Sequence, residues 1–399
     1  IHAVPESPGF KIDAHPNVGY LMWVIFPPVG FSARYFRSPT ETKGSSEANP
    51  LATRLTHKAS TQAIFTISPP PNGPVQMPLK RDIRVSIGNS HKSVKKTGNP
   101  YGMQWVFQVR GNCKNPPEVA TLRRMKITIT GTNGQLGKIL LSQTKNHVIQ
   151  EIKRPEVDIR HAESVKRSLE SFRPEVIIHA AALTNVEHCE DHQKEAVDIN
   201  VRGTENILQA AGDAHVVYLS TEYVFDGKKG PYSEEDKPNP QSVYAQTKYE
   251  GEQIVLSRKN SSVIRTTVVY TYEQGSKNFL MQLLSGKLNR FPSDQISNPT
   301  LTENLAEATL EIATRKLAGI YNIVGEDRID RYQFALSIAS KFNLDTSTWR
   351  PVSTAELGQK APRPLDCGLE IDKAKRELQT PLLTLEKALQ FVYEKSQIQ

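Results

Sequence analysis

Tyr244 and Lys248 stand four residues apart in "YAQTK". On a helix, that spacing puts both side chains on one face. The pair suits proton transfer: a phenol ordinarily titrates near about 10, and an adjacent ammonium favours the phenolate, so a lowered pKa is expected. Thr221 ends the β-rich run "HVVYLST". It should therefore lie at a strand's carboxyl end, where its hydroxyl can hold a carbonyl beside the phenol. A ketone receiving hydride needs its oxygen protonated as charge develops, and a positioned acid is typically worth about 10²–10⁴-fold. Tyr-x₃-Lys alone occurs on many helices without function, so its meaning depends on the elements around it.

Those elements begin at Met125. The β-rich runs "KITIT", "HVIQEI", "EVIIHAA", "HVVYLS" and "SSVIRTTVVY" alternate with the helical runs "GQLGKILLSQT", "ESVKRSLESF", "EAVDINVRGTENILQAAG" and "YAQTKYEGEQIVLS". The alternation predicts βαβ units and an α/β, Rossmann-like, doubly wound parallel sheet. Such a sheet binds its ligand at the carboxyl ends of its strands. We expect residues 125–270 to form this nucleotide-binding domain with the catalytic residues, and 271–399 to form mainly a smaller substrate-binding α/β subdomain.

After the first strand comes Gly131-Thr-Asn-Gly134-Gln-Leu-Gly137. Glycines so placed permit a tight turn and close approach of backbone to a pyrophosphate, and the following helix presents free N–H groups to the anion. In isolation this pattern is weak; between a strand and a helix it predicts dinucleotide binding. The second strand runs into "EIKRPEVD". Glu151 could hydrogen-bond a ribose 2′-hydroxyl; if the strand ends at Ile152, Lys153 and Arg154 face the ribose instead and suit a 2′-phosphate. We expect NADPH, with NADH as the alternative.

The 399 residues carry a formal net charge of +8, yet residues 1–124 hold 16 Lys/Arg against 6 Asp/Glu and the remainder 34 against 36. The enzyme-like part therefore has no electrostatic footprint for nucleic acid. Of 26 prolines, 15 fall before residue 125, in runs such as "SPPPNGPVQMP" that interrupt helices and central strands. We expect residues 1–124 to be a basic, irregular or disordered extension, although "MQWVFQV" suggests some local structure. Three dispersed cysteines, no secretory signal and no span-length apolar run suggest a cytoplasmic protein without a membrane segment.

Taken together, the glycine turn, "HAAALTNVEHCED", "INVRGTENI", "STEYVFDG", "YAQTKYEGE", "SKNF", "DQISNPT" and "APRPLD" resemble the extended short-chain dehydrogenase/reductases, and within them the dTDP-4-dehydrorhamnose reductase family. The resemblance covers residues 125 nearly to the end. It implies reduction of the 4-keto group of a dTDP-6-deoxyhexose by NADPH, with Tyr244 as acid, Lys248 positioning it and the nicotinamide ribose, and Thr221 completing the catalytic set. It also implies pyrophosphate contacts from Gly131, Gly134, Gln135, Leu136 and Gly137, adenine contacts near Asp158 and Ile159, and Ala180, Ala181 and Ala182 along the cofactor. Val224, Phe225, Asn278, Gln295 and Arg363 would enclose the dTDP-sugar. Family members are often dimers, and some bind Mg²⁺ through acidic residues, for which no ligands are assigned here. Where many members read "RTSWVYG", this chain has Val268 in place of the aromatic residue, which leaves the exact sugar open.

Other readings stay open. Dehydratases of the superfamily follow the threonine with an acidic pair, whereas Glu222 here is followed by Tyr223, which counts against dehydration. Another NDP-sugar reductase or an epimerase would use the same catalytic set. A non-catalytic NADP-binding subunit resembling that of methionine adenosyltransferase would share the fold, although the intact Thr221/Tyr244/Lys248 set leans toward catalysis. His188 and His192, four apart in "HCEDH", read as a solvated surface rather than a zinc site, Cys189 and Cys367 as unreactive, and "RYQFALSIASKF" as a helix whose Phe334 and Ile338 are core.

Overall fold

The computed structural model describes residues 124–398, together with four short strands before them. Ala63–Thr66 pairs antiparallel with Gln104–Phe107, and Val85–Ile87 with Ser90–Lys92. Gln104–Phe107 falls inside the "MQWVFQV" stretch. The expected irregularity of residues 1–124 otherwise lies outside the described residues. The chain divides into two units, Ile1–Thr121 and Leu122–Gln399, and the site lies in the second.

That unit is built on six parallel strands: β1 (Lys126–Thr130), β2 (Val148–Ile152), β3 (Val176–His179), β4 (His215–Thr221), β5 (Ser261–Thr266) and β6 (Gly319–Asn322). Their spatial order is 2-1-3-4-5-6, a Rossmann-like arrangement. The order reverses between β1 and β3, so the crevice that receives a ligand opens beyond the carboxyl ends of those two strands. Strands β3, β4 and β5 are buried at every position, which is why they read as continuous apolar or β-branched runs rather than alternating ones.

Helices cover both faces. On one, α1 (Gln135–Gln143) lies beside the helix Thr302–Arg315, and Leu140, Leu305 and Ile312 join Ile127, Ile129 and Val217 in one core. On the other, α2 (Ala162–Phe172) and α3 bury Val165, Leu169 and Ile207 against Ile177, Val216 and Val263. Helix α3 runs over Gln193–Val197, widens into a π turn at Asp198–Arg202 and resumes over Gly203–Ala210. The helix that should carry the catalytic pair is α4 (Val243–Leu256), begun by Ser242, whose hydroxyl accepts from the Ala245 N–H.

The division expected at residue 270 is not a single cut. After Tyr270 the chain builds a third core from Leu280, Phe291, Phe334, Ile338 and Leu389. Yet it also returns to the main sheet through α5 (Thr302–Arg315) and β6. Phe334 and Ile338 are fully buried on α6 (Arg331–Phe342), as the amphipathic pattern predicted. Among the described residues no helix is long and apolar enough to cross a membrane.

Candidate active site

A cleft of about 820 Å³ runs over the carboxyl ends of the strands, from the glycine turn after β1 to the threonine end of β4. The glycine turn is shaped as the spacing requires. Gly131 has φ +73, and a Cβ on it would come within 2.7 Å of the Ala181 backbone nitrogen. Gly137 lies against the backbone of Gly131 and Thr132, so any side chain there would push helix and strand apart. Gly134 donates its N–H to the Gly131 carbonyl at 2.9 Å, and α1 then begins with its first N–H groups unused within the helix. This backbone fits a dinucleotide's pyrophosphate. Gln135, Leu136, Ala180, Ala181 and Ala182 line the same cleft. Thr130 holds the turn to the β3 loop, accepting from the Ala181 N–H at 3.0 Å while meeting His179 Nδ1 at 2.7 Å. Burial and the Lys248 charge hold His179 down at about 3, so it is neutral at physiological pH.

At the far end of the turn, β2 stops at Ile152, whose carbonyl accepts from the Gly131 N–H at 3.1 Å. This decides the register left open above: Lys153 and Arg154 line the cleft together with Asp158 and Ile159, and Glu151 does not. Glu151 instead pairs with Lys153 at 2.9 Å. Arg160 also lines the cleft and clasps Asp158 through Nε at 3.0 Å and Nη2 at 2.5 Å. Reading the sequence missed it, although it lies two residues from Asp158.

At the β4 end, Thr221, Glu222, Tyr223 and Tyr244 line the cleft together. The Tyr244 ring meets that of Tyr223 edge-on, with centroids 6.0 Å apart. Contrary to the expected lowering, the Tyr244 phenol is pushed above its ordinary value. Burial is the main cause, the Thr221 hydroxyl works against it, and the Glu222 carboxylate adds to it. The ammonium does not tune the phenol because it is engaged elsewhere: Lys248 Nζ donates to the Leu219 carbonyl at 2.6 Å and lies 3.9 Å from the centre of the Tyr218 ring. The phenol therefore stays protonated, the form needed to donate.

Thr221 also differs from expectation. Its hydroxyl donates to Glu222 Oε2 at 3.0 Å and accepts from the Tyr223 N–H at 3.2 Å. Glu222 in turn accepts from Thr267 Oγ1 at 2.5 Å, and burial pushes its carboxyl up. Asn200, inside the π turn of α3, grips both backbone groups of Leu183 and reaches Thr247 at 3.1 Å. It thus ties the cleft wall to α4, a role visible only once the chain is folded.

Burial lowers Lys248 to about 7. Between about pH 7 and the ordinary lysine value the unfolded chain binds the extra proton, so this group makes stability rise with pH across that window. Chemical denaturation at pH 7 and at about pH 9 should show that rise, and Lys248→Met should flatten it.

The residues expected around the substrate divide into two groups. Asn278 lines the cleft and donates to Gln135 Oε1 at 2.8 Å, joining the glycine turn to the 276–278 loop. Arg363 stands beside the cleft, 5.9 Å from the Tyr223 ring, with Nη2 on Glu187 at 2.6 Å. Val224, Phe225 and Gln295 do not line it. The first two side chains are fully buried, Phe225 stacking on Tyr232 at 4.3 Å beneath the Arg265 guanidinium. They were expected to enclose the dTDP-sugar because the resemblance carries positions and not side-chain directions. The Gln295 amide bonds Thr354 at 3.0 Å.

Val268 does line the cleft, with φ +43, a left-handed conformation that a β-branched residue rarely adopts. It is held there by Thr300, whose N–H donates to the Val268 carbonyl at 3.1 Å. Cys189 and Cys367 are buried with their thiols pushed up, Cys189 to about 11. His188 bonds Glu195 at 2.8 Å and stacks on His192. Among the described residues no group of three His, Cys, Asp or Glu could hold a metal ion.

Residues 125–398 match the family model described as the RmlD substrate binding domain. The chain is 32% identical over 269 residues to dTDP-4-dehydrorhamnose reductase from Aggregatibacter actinomycetemcomitans, covering 62% of this chain and 91% of that protein. It is also 32% identical over 279 residues to methionine adenosyltransferase 2 subunit beta from Xenopus tropicalis, covering 64% and 83% respectively. Among solved structures it is similar to a dTDP-4-dehydrorhamnose reductase from Bacillus anthracis in complex with NADP. That match has a TM-score of 0.65 at 28% identity and covers 68% of this chain and all of that one.

Proposed function

The chain belongs to the RmlD substrate-binding domain family, and from that premise we propose that it reduces the 4-keto group of a dTDP-6-deoxyhexose with NADPH. The observation that carries the reading is the convergence of Tyr244, Thr221 and the glycine turn on one cleft, with a phenol that remains protonated. The bound nicotinamide supplies the hydride. Tyr244 gives its proton to the ketone oxygen as charge develops there. Thr221, fixed by Glu222 and the Tyr223 N–H, keeps its oxygen beside the phenol and sets the direction from which the carbonyl approaches. Lys248 braces the β4 end from below through the Leu219 carbonyl, and with its pKa lowered to about 7 it carries its charge fully only below that pH. The two-domain division, with residues 125–270 serving the cofactor and 271–399 mainly the sugar nucleotide, belongs to the same proposal.

Lys153 and Arg154 at the end of β2 support NADPH over NADH, since cations there favour a 2′-phosphate. Replacing both with alanine should weaken NADPH binding by at least about tenfold, the scale of one lost charge-assisted hydrogen bond, and leave NADH binding nearly unchanged. Titrating each nucleotide against wild type and variant measures it, and an equal loss for both would refute the assignment.

The similarity to methionine adenosyltransferase 2 subunit beta supports a second reading, an NADP-binding subunit serving a partner enzyme. Steady-state assays separate the two. Consumption of NADPH dependent on the dTDP-4-keto sugar supports the reductase. No turnover, together with a changed rate of an added methionine adenosyltransferase, supports the subunit.

A further inference from the structure

Arg331 is the first residue of α6, and its side chain lines the cleft. Among the described residues, nothing hydrogen-bonds its guanidinium and no carboxylate lies within ion-pair distance. Its contact is the face of the Phe279 ring, 5.4 Å away. The ionisable groups near it are Glu222, the Tyr223 phenol, which burial keeps protonated, and Arg363. The guanidinium is half-buried, with all its donors unspent within the protein and open to the cleft. Arg363 shares the shortfall: Nη2 is paired with Glu187, but Nε is buried and unsatisfied. Two arginines stand near Tyr223 at this end of the cleft; Glu187 partners only Arg363, and Glu222, bonded to Thr221 and Thr267, hydrogen-bonds neither of them.

We propose that Arg331, supported by Arg363, binds the diphosphate of the sugar nucleotide and so discriminates nucleoside diphosphate sugars from uncharged ketones. This rests on reading the cleft as a sugar-nucleotide site. A planar guanidinium matches the paired oxygens of a phosphate. A 6-deoxyhexose carries no charge of its own, and the cofactor's diphosphate is served by the glycine turn at the other end of the cleft. The diphosphate next to the sugar is therefore the anion left for Arg331. The residue escaped sequence analysis because only the apolar face of "RYQFALSIASKF" was read.

The test is equilibrium binding of dTDP, UDP, GDP and dTMP to the NADP⁺-loaded full chain, comparing wild type with Arg331→Met and Arg331→Lys. Methionine keeps the packing over Phe279, and unchanged NADP⁺ affinity shows that each variant is folded. Arg331→Met should raise the dTDP dissociation constant about 10- to 100-fold, with a smaller effect on dTMP and partial recovery in Arg331→Lys. Equal dTDP affinity in wild type and Arg331→Met overturns the proposal while leaving the reductase reading intact. Binding of UDP or GDP but not dTDP, lost in Arg331→Met, upholds the proposal and removes the thymidine reading. A preference for a UDP-hexuronate over a UDP-hexose that Arg331→Met abolishes, with UDP binding unchanged, would place a sugar carboxylate there and overturn the diphosphate assignment. No nucleoside diphosphate binding at all overturns it as well.

Discussion

Tyr244→Phe should lower kcat by about 10²–10⁴-fold, the usual worth of a positioned acid, while NADPH binds almost as before. The substitution removes one oxygen and leaves the ring, so the edge-on contact with Tyr223 survives. In the proposed reaction that phenol oxygen is the acid, and the glycine turn proposed to hold the nucleotide lies at the other end of the cleft. The loss should therefore appear in kcat, with little change in the nucleotide's dissociation constant. Single-turnover rates with NADPH in excess measure it directly. A variant that retains most of the wild-type rate would mean that the proton comes from elsewhere, with Glu222 the next group to test.

The largest expected effect on stability concerns the frame beneath the site. Arg265 on β5 and Glu252 on α4 are almost wholly buried and form a two-pronged pair, Nε to Oε1 at 3.0 Å and Nη2 to Oε2 at 2.8 Å. The guanidinium also lies over the Phe225 ring. Glu252→Ala strands this cation in the core and should cost about 3–5 kcal/mol. That is a large fraction of the roughly 5–15 kcal/mol that holds a typical protein folded. Replacing both residues by apolar side chains of similar volume should recover most of the loss. Denaturant midpoints for the two variants decide the matter; a double variant no better than Glu252→Ala would locate the effect in packing instead of charge.

Features set by neighbours in the chain were legible before the fold was seen. The glycine turn, the parallel strands and the Tyr244–Lys248 spacing are local, and each stands where its pattern put it. What the spacing did not carry was where Lys248 points. An ammonium four residues from a phenol can face it or turn under the sheet, and the Leu219 carbonyl and Tyr218 ring draw it under the sheet. Phe225 shows the same limit, since the position follows the motif while the side chain turns into the core. Asn200 and Arg331 were missed for a related reason. Their roles depend on elements far apart in the chain meeting at the cleft, and no single window of sequence contains both sides of that contact. The end of β2 was the intermediate case: two registers were possible, and the hydrogen bond from Gly131 to Ile152 selects one of them.

The most direct measurement is transfer of label from NADPH deuterated at C4 of the nicotinamide to dTDP-4-keto-6-deoxy-L-mannose, with the product analysed by NMR. The account predicts a dTDP-6-deoxyhexose carrying one deuterium at C4, formed by wild type and lost in Tyr244→Phe. Unlabelled product, or a substrate returned unchanged with NADPH unconsumed, would contradict it.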